Sequence, residues 1–497
     1  MSRLSRRQFL SDSAIAAAAL AVGTGVASNA VTAVAADGAA PANDKLAVMI
    51  CGVRSRGRDH IQSFAQNRDC YVKYICDVDE AIGQERVNDH EKRFGYRPTF
   101  IRDLREGLDD ESLDIVSIAT TNHWHALAAI WAMQAGKDVY VEKPVSHNIF
   151  EGQRLVEAAR KYKRICQTGT QSRSLEGDIS AVEDIQRGLI GEVKLARGLC
   201  YNRRKAIGEK GVYEPLNSVD YDLWVGPGPM QPVTRPRFHY DWHWQYQWGN
   251  GDINNQGVHQ MDIARWGLGI DSLSDSVISY GGRLGYVDAG DTANTQVAIH
   301  KFGDKTIVFE VRGLEAGPMF EAKIGDIFYG TEGILAMGNW GNGFAMDRDG
   351  KVVKRFGQNV EGAPYAVGTI DHVQNFVDVV KSRNLSDLHA DVREGHLSAG
   401  LGHAATISYR LGRKASVGEV KEAIEAFGGA DDNPETLQRT IAHLKDNGVN
   451  VDETPMTLGP VLCMDAKDEV FIDNDTANAM LTREYRKGFE VPKAGEV

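Results

Sequence analysis

Leu46-Ala47-Val48-Met49-Ile50-Cys51-Gly52-Val53-Arg54-Ser55-Arg56-Gly57 decides how the front of the chain folds. Six apolar residues run without polar alternation, as in a strand buried on both faces, and Gly52 ends the run. A helix is expected from Gly57 to Phe64. The same pattern then repeats. Strands are expected at Tyr71–Cys76, Leu113–Ala119, Asp138–Val141 and Arg164–Gln167. Helices are expected at Glu80–Phe94, His125–Ala135 and Phe150–Tyr162. Apolar strands that alternate with helices form a parallel sheet covered on both sides, and right-handed crossovers make it doubly wound.

The first turn is a degraded dinucleotide fingerprint. It has Gly52 and Gly57 at the first and sixth positions, but Arg54 at the third, where glycine normally lets the backbone approach a pyrophosphate. The side chain there implies either a wider turn or a guanidinium that meets phosphate itself. Gly52, Arg54, Ser55, Arg56 and Gly57 are the candidate phosphate turn. Asp77 ends the next strand, 25 residues after Gly52. A carboxylate there accepts from ribose hydroxyls and repels a 2′-phosphate, which favours NAD over NADP. Arg54 and Arg56 pull the other way, so NADP stays open.

Two further segments carry a sharper signal. Asp114 to Pro144 reads DIVSIATTNHWHALAAIWAMQAGKDVYVEKP, and Gly249 to Asp262 reads GNGDINNQGVHQMD. Ile118-Ala119-Thr120, His125, Ala135-Gly136-Lys137 and Glu142-Lys143-Pro144, followed by Gly257-x-His259-x-x-Asp262, closely resemble the glucose–fructose oxidoreductase / inositol dehydrogenase (Gfo/Idh/MocA) family. The resemblance covers roughly Lys45 to Arg413. Tyr221 to Pro227 and Trp242-His243-Trp244 look like the secreted, twin-arginine-exported branch. The resemblance implies an α/β chain: an N-terminal Rossmann domain, then an α/β domain on a large, open, mostly antiparallel sheet. Runs at Val193–Tyr201, Asp275–Arg283, Thr295–Phe302, Thr306–Gly313 and Phe320–Tyr329 independently read as strands. The expected layout is a signal at 1–35, a linker at 36–44, a nucleotide domain at 45–166 and a substrate domain at 167–415. Residues 416–497 are an extension, with a helix at Asn433–Asp446, a turn-rich connection at Pro455–Pro460 and a strand at Glu469–Ile472. One sheet face packs against another subunit in the family, which implies a homodimer or homotetramer.

The family pattern assigns roles. Lys143, just past a strand's carboxyl end and fixed by Pro144, would lie beside the nicotinamide and the substrate hydroxyl, with burial lowering its pKa. His259 is the expected proton acceptor. Many relatives place Asp four residues before this histidine. Here the residue is Asn255, which orients but takes no proton, so the usual dyad is incomplete. Asp262 is expected to bind substrate or steer the imidazole. Thr120, Asn122, His125 and Glu142 are expected at the cofactor and Gln171 at the substrate. The aromatic stretch Phe238 to Trp248 reads either as core or as a sugar-stacking wall, with Trp242 and Trp244 at its centre. Tyr201, Arg203 and Arg204 read as a solvated edge or as an acidic-sugar site. No Cys or carboxylate spacing supports a metal site.

The N-terminus constrains the chemistry. Ser5-Arg6-Arg7-Gln8-Phe9-Leu10 and an Ala-rich run ending at Ala33-Val34-Ala35 read as a twin-arginine export signal, which places the protein in the periplasm or otherwise outside the cytoplasm. No later run is apolar enough to span a bilayer. The net charge of -12 argues against nucleic acid and anionic membranes as partners. The six cysteines are scattered and read as buried thiols. An exported enzyme has no nicotinamide pool to reoxidise its cofactor, so the cofactor is expected to be tightly bound and recycled. Three readings follow: a sugar oxidoreductase, an NAD-dependent glycoside hydrolase or lyase working by transient oxidation, and a non-catalytic sugar-binding protein.

Overall fold

β1 (Leu46–Cys51), β2 (Cys70–Cys76), β3 (Thr99–Ile101), β4 (Ile115–Ile118), β5 (Asp138–Val141) and β6 (Cys166–Thr168) pair in the order β3-β2-β1-β4-β5-β6. Every pairing is parallel. The computed structural model describes residues 45–357 and 364–497. The expected signal and linker lie outside the described residues. Alternate residues of β1 serve opposite faces of the sheet. Val48 and Ile50 pack with Phe64 and, from a helix late in the chain (Pro364–Ser382), with Phe376 and Val377. Ala47 and Met49 pack with Leu127, Ile130 and Leu155 from the helices Asn122–Gln134 and Ile149–Lys161. Two short elements were not expected: β3, and a helix at Leu104–Leu108. That helix has a reciprocal capping box between Asp103 and Glu106, a signature present in the sequence.

The second sheet has twelve strands. They are β7 (Val193–Cys200), β8 (Ser276–Gly282), β9 (Thr295–Phe302), β10 (Lys305–Arg312), β11 (Ile324–Gly330), β12 (Gly333–Gly338), β13 (Gly343–Asp347), β14 (Val352–Phe356), β15 (Arg413–Ala415), β16 (Met456–Leu458), β17 (Leu462–Asp465) and β18 (Val470–Phe471). Only β7 and β10 pair in parallel. The stretch Pro455–Pro460 is not merely a turn. It contains β16, which joins β8 to β15, and its two prolines lie outside the strand, where no ladder N–H is needed.

The inner face of this sheet packs on the helices Gly257–Leu268 and Val392–Arg410. The outer face at β7–β10 is covered by the chain's own extension. Val420, Ile424, Leu437 and Leu444 sit on Leu195, Ile278, Val297 and Val308. A buried ion network fastens this layer. Arg439 grips Glu310 with both nitrogens, at 2.9 and 3.0 Å, and Arg197 joins Glu310 to Asp431. Burial opposes the Glu310 charge, but Arg197 and Arg439 outweigh it and hold its pKa at about 2. Cys463 is exposed, so one thiol departs from the expected burial; the other five are buried. No helix among the described residues is long and apolar enough to cross a membrane.

Candidate active site

The strand order reverses between β1 and β4, where the loops part and a ligand crevice opens at the carboxyl ends. A cleft of about 500 Å³ lies there, lined by Gly52, Asp77, Thr120 and Lys143 from the ends of four strands. Gly52 has φ +78°, and a Cβ on it would stand 2.6 Å from the Ala119 carbonyl oxygen. Gly57 packs against the turn itself: a Cβ there would lie 1.7 Å from the Gly52 oxygen. Gly57 is therefore a packing residue and does not line the cleft. The helix Ser55–Gln66 has no side-chain cap, so its first N–H groups remain available to an anion. Arg54 is exposed at the cleft wall, beside Ser55. Asp77 accepts from the Val53 N–H at 2.7 Å and the Asp79 N–H at 2.9 Å. Burial raises its pKa to about 6 despite these two donors.

Behind the turn lies a charge cluster centred on Glu142. Its Oε1 accepts from Arg56 Nε at 2.7 Å and Gln171 Nε2 at 3.2 Å, and lies 3.1 Å from His60 Nε2. His60 also meets Ser117 at 2.8 Å. Burial disfavours the Glu142 charge, but Arg56, His60 and Lys143 hold its pKa well below the carboxylate range. Glu142, Arg56 and Gln171 border the cleft and bond to one another through Glu142 Oε1, because an ionised buried carboxylate requires such partners. His125 likewise faces two carbonyls, Pro144 at 2.7 Å and Thr120 at 3.2 Å, and braces the Lys143 turn. Asn122 donates to Asn250 across the domains, at 3.0 Å.

Lys143 precedes a cis peptide bond to Pro144, and its ammonium donates to the Asn255 carbonyl at 2.7 Å. Burial, followed by the charges of Arg56 and Arg204, lowers its pKa. Asn255 ends the short helix Asp252–Asn255, and the chain turns at Gln256 into the helix that carries His259. His259 Nδ1 is buried without a hydrogen-bond partner. Burial and then the Lys143 charge push its pKa down to about 3. Asp252 is engaged elsewhere. It binds Arg204 through two bonds of 2.9 and 2.7 Å, and that guanidinium lies over Trp244 at 4.8 Å.

Two expected substrate residues are not in the cleft wall. Asp262 is fully buried, gripped by Arg173 at 2.8 and 2.9 Å and by Ser398 at 2.8 Å. Trp244 is buried beneath Arg204. Trp242 does line the cleft and stacks on His243, with ring centres 3.6 Å apart. Tyr201 binds Glu310 in the sheet network, leaving only Arg203 as a solvated edge residue. The wall also includes His239 and Tyr240 from the same aromatic stretch, together with Asn339 and Trp340, which were not expected. The Gly338-Asn339-Trp340-Gly341-Asn342-Gly343 turn between two strands was the available sequence signal. Among the described residues no group of three metal-ligating side chains comes together.

Residues 46–170 match the model of an oxidoreductase family, NAD-binding Rossmann fold, and residues 203–332 match that family's C-terminal alpha/beta domain. The chain belongs to the Gfo/Idh/MocA oxidoreductase family. Among curated proteins it is similar to a glycosyl hydrolase family 109 protein of a Shewanella species, 29% identical over 158 residues. It is also similar to an alpha-N-acetylgalactosaminidase of Shewanella oneidensis, 28% identical over 158 residues. Each match takes 31% of this chain and 34% of the relative, so it spans about a third of these relatives' length. Among solved structures, the WlbA dehydrogenase from Bordetella pertussis in complex with NADH and UDP-GlcNAcA superimposes with a TM-score of 0.53 at 21% identity. That likeness covers 74% of this chain and 97% of that one. Levoglucosan dehydrogenase in complex with NADH gives 0.55 at 18% identity, over 73% and 96%. At such identities the likeness is one of fold. The residues of the family's nucleotide domain fit its dinucleotide: Gly52 leaves no room for a Cβ, the uncapped helix offers N–H donors, and Asp77 stands at the strand end.

Proposed function

We propose that this protein is an NAD-dependent oxidoreductase acting on a hydroxyl of a sugar or sugar derivative, with a tightly held cofactor regenerated within each cycle. The observation that carries the reading is the convergence of Lys143 and His259 on one cleft with an uncapped helix and Asp77. Gly52, Arg54, Ser55, Asp77, Thr120 and Asn122 would hold the dinucleotide, and NAD is favoured over NADP by the Asp77 charge. When bound, the nicotinamide supplies reversible hydride acceptance.

The chain's own residues manage the proton. Burial lowers the pKa of both Lys143 and His259, and the Lys143 charge depresses His259 further, so the imidazole is neutral at neutral pH. The neutral imidazole is then free to accept the substrate hydroxyl proton. The ammonium, steadied by the Asn255 carbonyl, offsets the negative charge that grows on that oxygen. This charge in turn makes His259 more basic as the proton moves. Asn255 contributes its backbone oxygen to Lys143, and because its side chain takes no proton, the proton falls to His259 alone.

A second reading, redox-neutral glycoside cleavage, is favoured by the partial match to the Shewanella glycosidases. There, transient oxidation of a sugar hydroxyl would acidify the adjacent C–H and allow the glycosidic substituent to be eliminated; addition of water to the resulting unsaturated ketone and return of the hydride to its carbonyl would close a redox-neutral cycle. Chromatography of purified protein with a panel of glycosides distinguishes the two. A paired alcohol and keto-sugar or lactone supports the first reading. Aglycone release without net oxidation supports the second, and sugar binding without turnover leaves a non-catalytic sugar-binding protein.

Twin-arginine export to the periplasm completes the proposal. It accounts for a retained cofactor, and a fusion of residues 1–40 to a reporter tests it. A homodimer or homotetramer is proposed to form through the β11–β14 end of the sheet, because the extension covers β7–β10; light scattering measures the mass.

A further inference from the structure

Trp340 lies in the turn between β12 and β13 with φ 66° and ψ 36°, a left-handed conformation that glycine adopts freely and an aromatic residue only at a cost. Neighbouring backbone enforces it. A Cβ on Gly177 would stand 2.0 Å from the Gly341 oxygen, and one on Gly357 would stand 2.3 Å from the same atom. The turn is thus clamped between the start of the helix Glu176–Gln186 and the end of β14. Tyr240, about 100 residues earlier, also has a positive φ, 66° with ψ -47°, close to the strained classic γ-turn. It is 49% exposed, at the cleft mouth, and its ring lies 4.7 Å from His243, which stacks on Trp242. Trp340 and Tyr240 both line the cleft that holds Lys143 and His259, and the exposed Asn339 beside Trp340 supplies an amide.

Two aromatic residues from unrelated loops therefore occupy backbone positions suited to glycine, and both present their side chains to one cavity. Aromatic faces beside amide groups match a pyranose ring, whose C–H face stacks and whose hydroxyls bond. We infer that Trp340 and Tyr240 form an outer subsite for a second sugar ring, adjoining the ring that reacts near Lys143. The substrate class is then an oligosaccharide or glycoconjugate of at least two rings. This inference rests on the reading of the cleft as a sugar site.

The test uses the holoprotein and calorimetric titration with matched pairs: glucose and cellobiose, galactose and lactose, N-acetylglucosamine and chitobiose. In the unmodified protein, at least one disaccharide should bind about tenfold more tightly than its monosaccharide. Trp340→Gly should reduce that advantage to within about twofold, with an unchanged or higher Tm because the backbone strain is relieved. Trp340→Asn, also tolerant of the left-handed region, should do the same. A disaccharide advantage that survives both substitutions overturns the subsite. So does a lower Tm in both, which would make Trp340 a packing residue, or equal affinities within every pair. If no sugar binds the unmodified protein, the sugar reading itself fails.

Discussion

The two ends of the cleft are built by different means. At the nucleotide end every group stands on a regular element: Gly52, Asp77, Thr120 and Lys143 at strand ends, Ser55 at a helix start. Behind them the Glu142 cluster joins Arg56, His60 and Gln171 in a buried web. At the mouth, the wall comes from a short turn, Asp241–Trp244, and the hairpin around Trp340, held by glycine contacts between distant segments. The first end is a fixed frame, and the second is a surface whose rings can change without disturbing that frame.

This contrast is open to direct attack. The largest effect is expected from Lys143→Ala, which should cost on the order of 10²–10⁴-fold in turnover while the cofactor stays bound. Turnover within tenfold of the unmodified protein would remove Lys143 from the chemistry. Glu142→Gln should destabilise the fold by roughly 3–5 kcal/mol, because Arg56 loses its buried counter-charge. Trp242→Ala at the mouth should change denaturant midpoints far less. A reversal of that order would break the comparison. Asp77→Ala should narrow the preference for NAD over NADP by about tenfold, as measured by competition binding, since the carboxylate repelling the 2′-phosphate is gone.

The smallest effect is on acid stability. Thirteen histidines have pKa values lowered by folding, including His123, His259, His300 and His403 at about 3. Between about 3 and 6.5 the unfolded chain binds more protons at these sites, so their contribution to stability falls as pH drops through that window. Asp77, Glu151, Asp178 and Asp326 have raised values and act in the opposite sense, but they are outnumbered. Tm should therefore decrease by several degrees from pH 7 to pH 5; a rise would contradict the assignment of these histidines as buried and neutral.

The contrast also explains what the sequence made legible. Periodicity and strand-end residues announce a doubly wound sheet, because parallel strands are apolar along their length and their ligands gather at one end. The motif around Lys143 and His259 is local, so it can be read residue by residue. His60 could not be found this way: its role arises from Glu142, 82 residues away, as β1 and β5 bring the two together. Asp262 misled for the same reason. Its partner Arg173 is 89 residues distant, and nothing near Asp262 signals that its carboxylate is already claimed. Trp244 followed the aromatic pattern of its neighbours, but Arg204 covers it. The Asn433–Asp446 helix was expected, and Asp432 caps it, yet its partner face on the outer sheet depends on the whole fold.

The central claim is a nicotinamide cofactor kept through turnover, and its most direct test is to denature the purified, extensively dialysed protein and assay the released nucleotide. The account predicts close to one NAD(H) per chain, undiminished after many turnovers without added cofactor. Protein that releases no nicotinamide nucleotide, or that turns over only when NAD is supplied from outside, would contradict it.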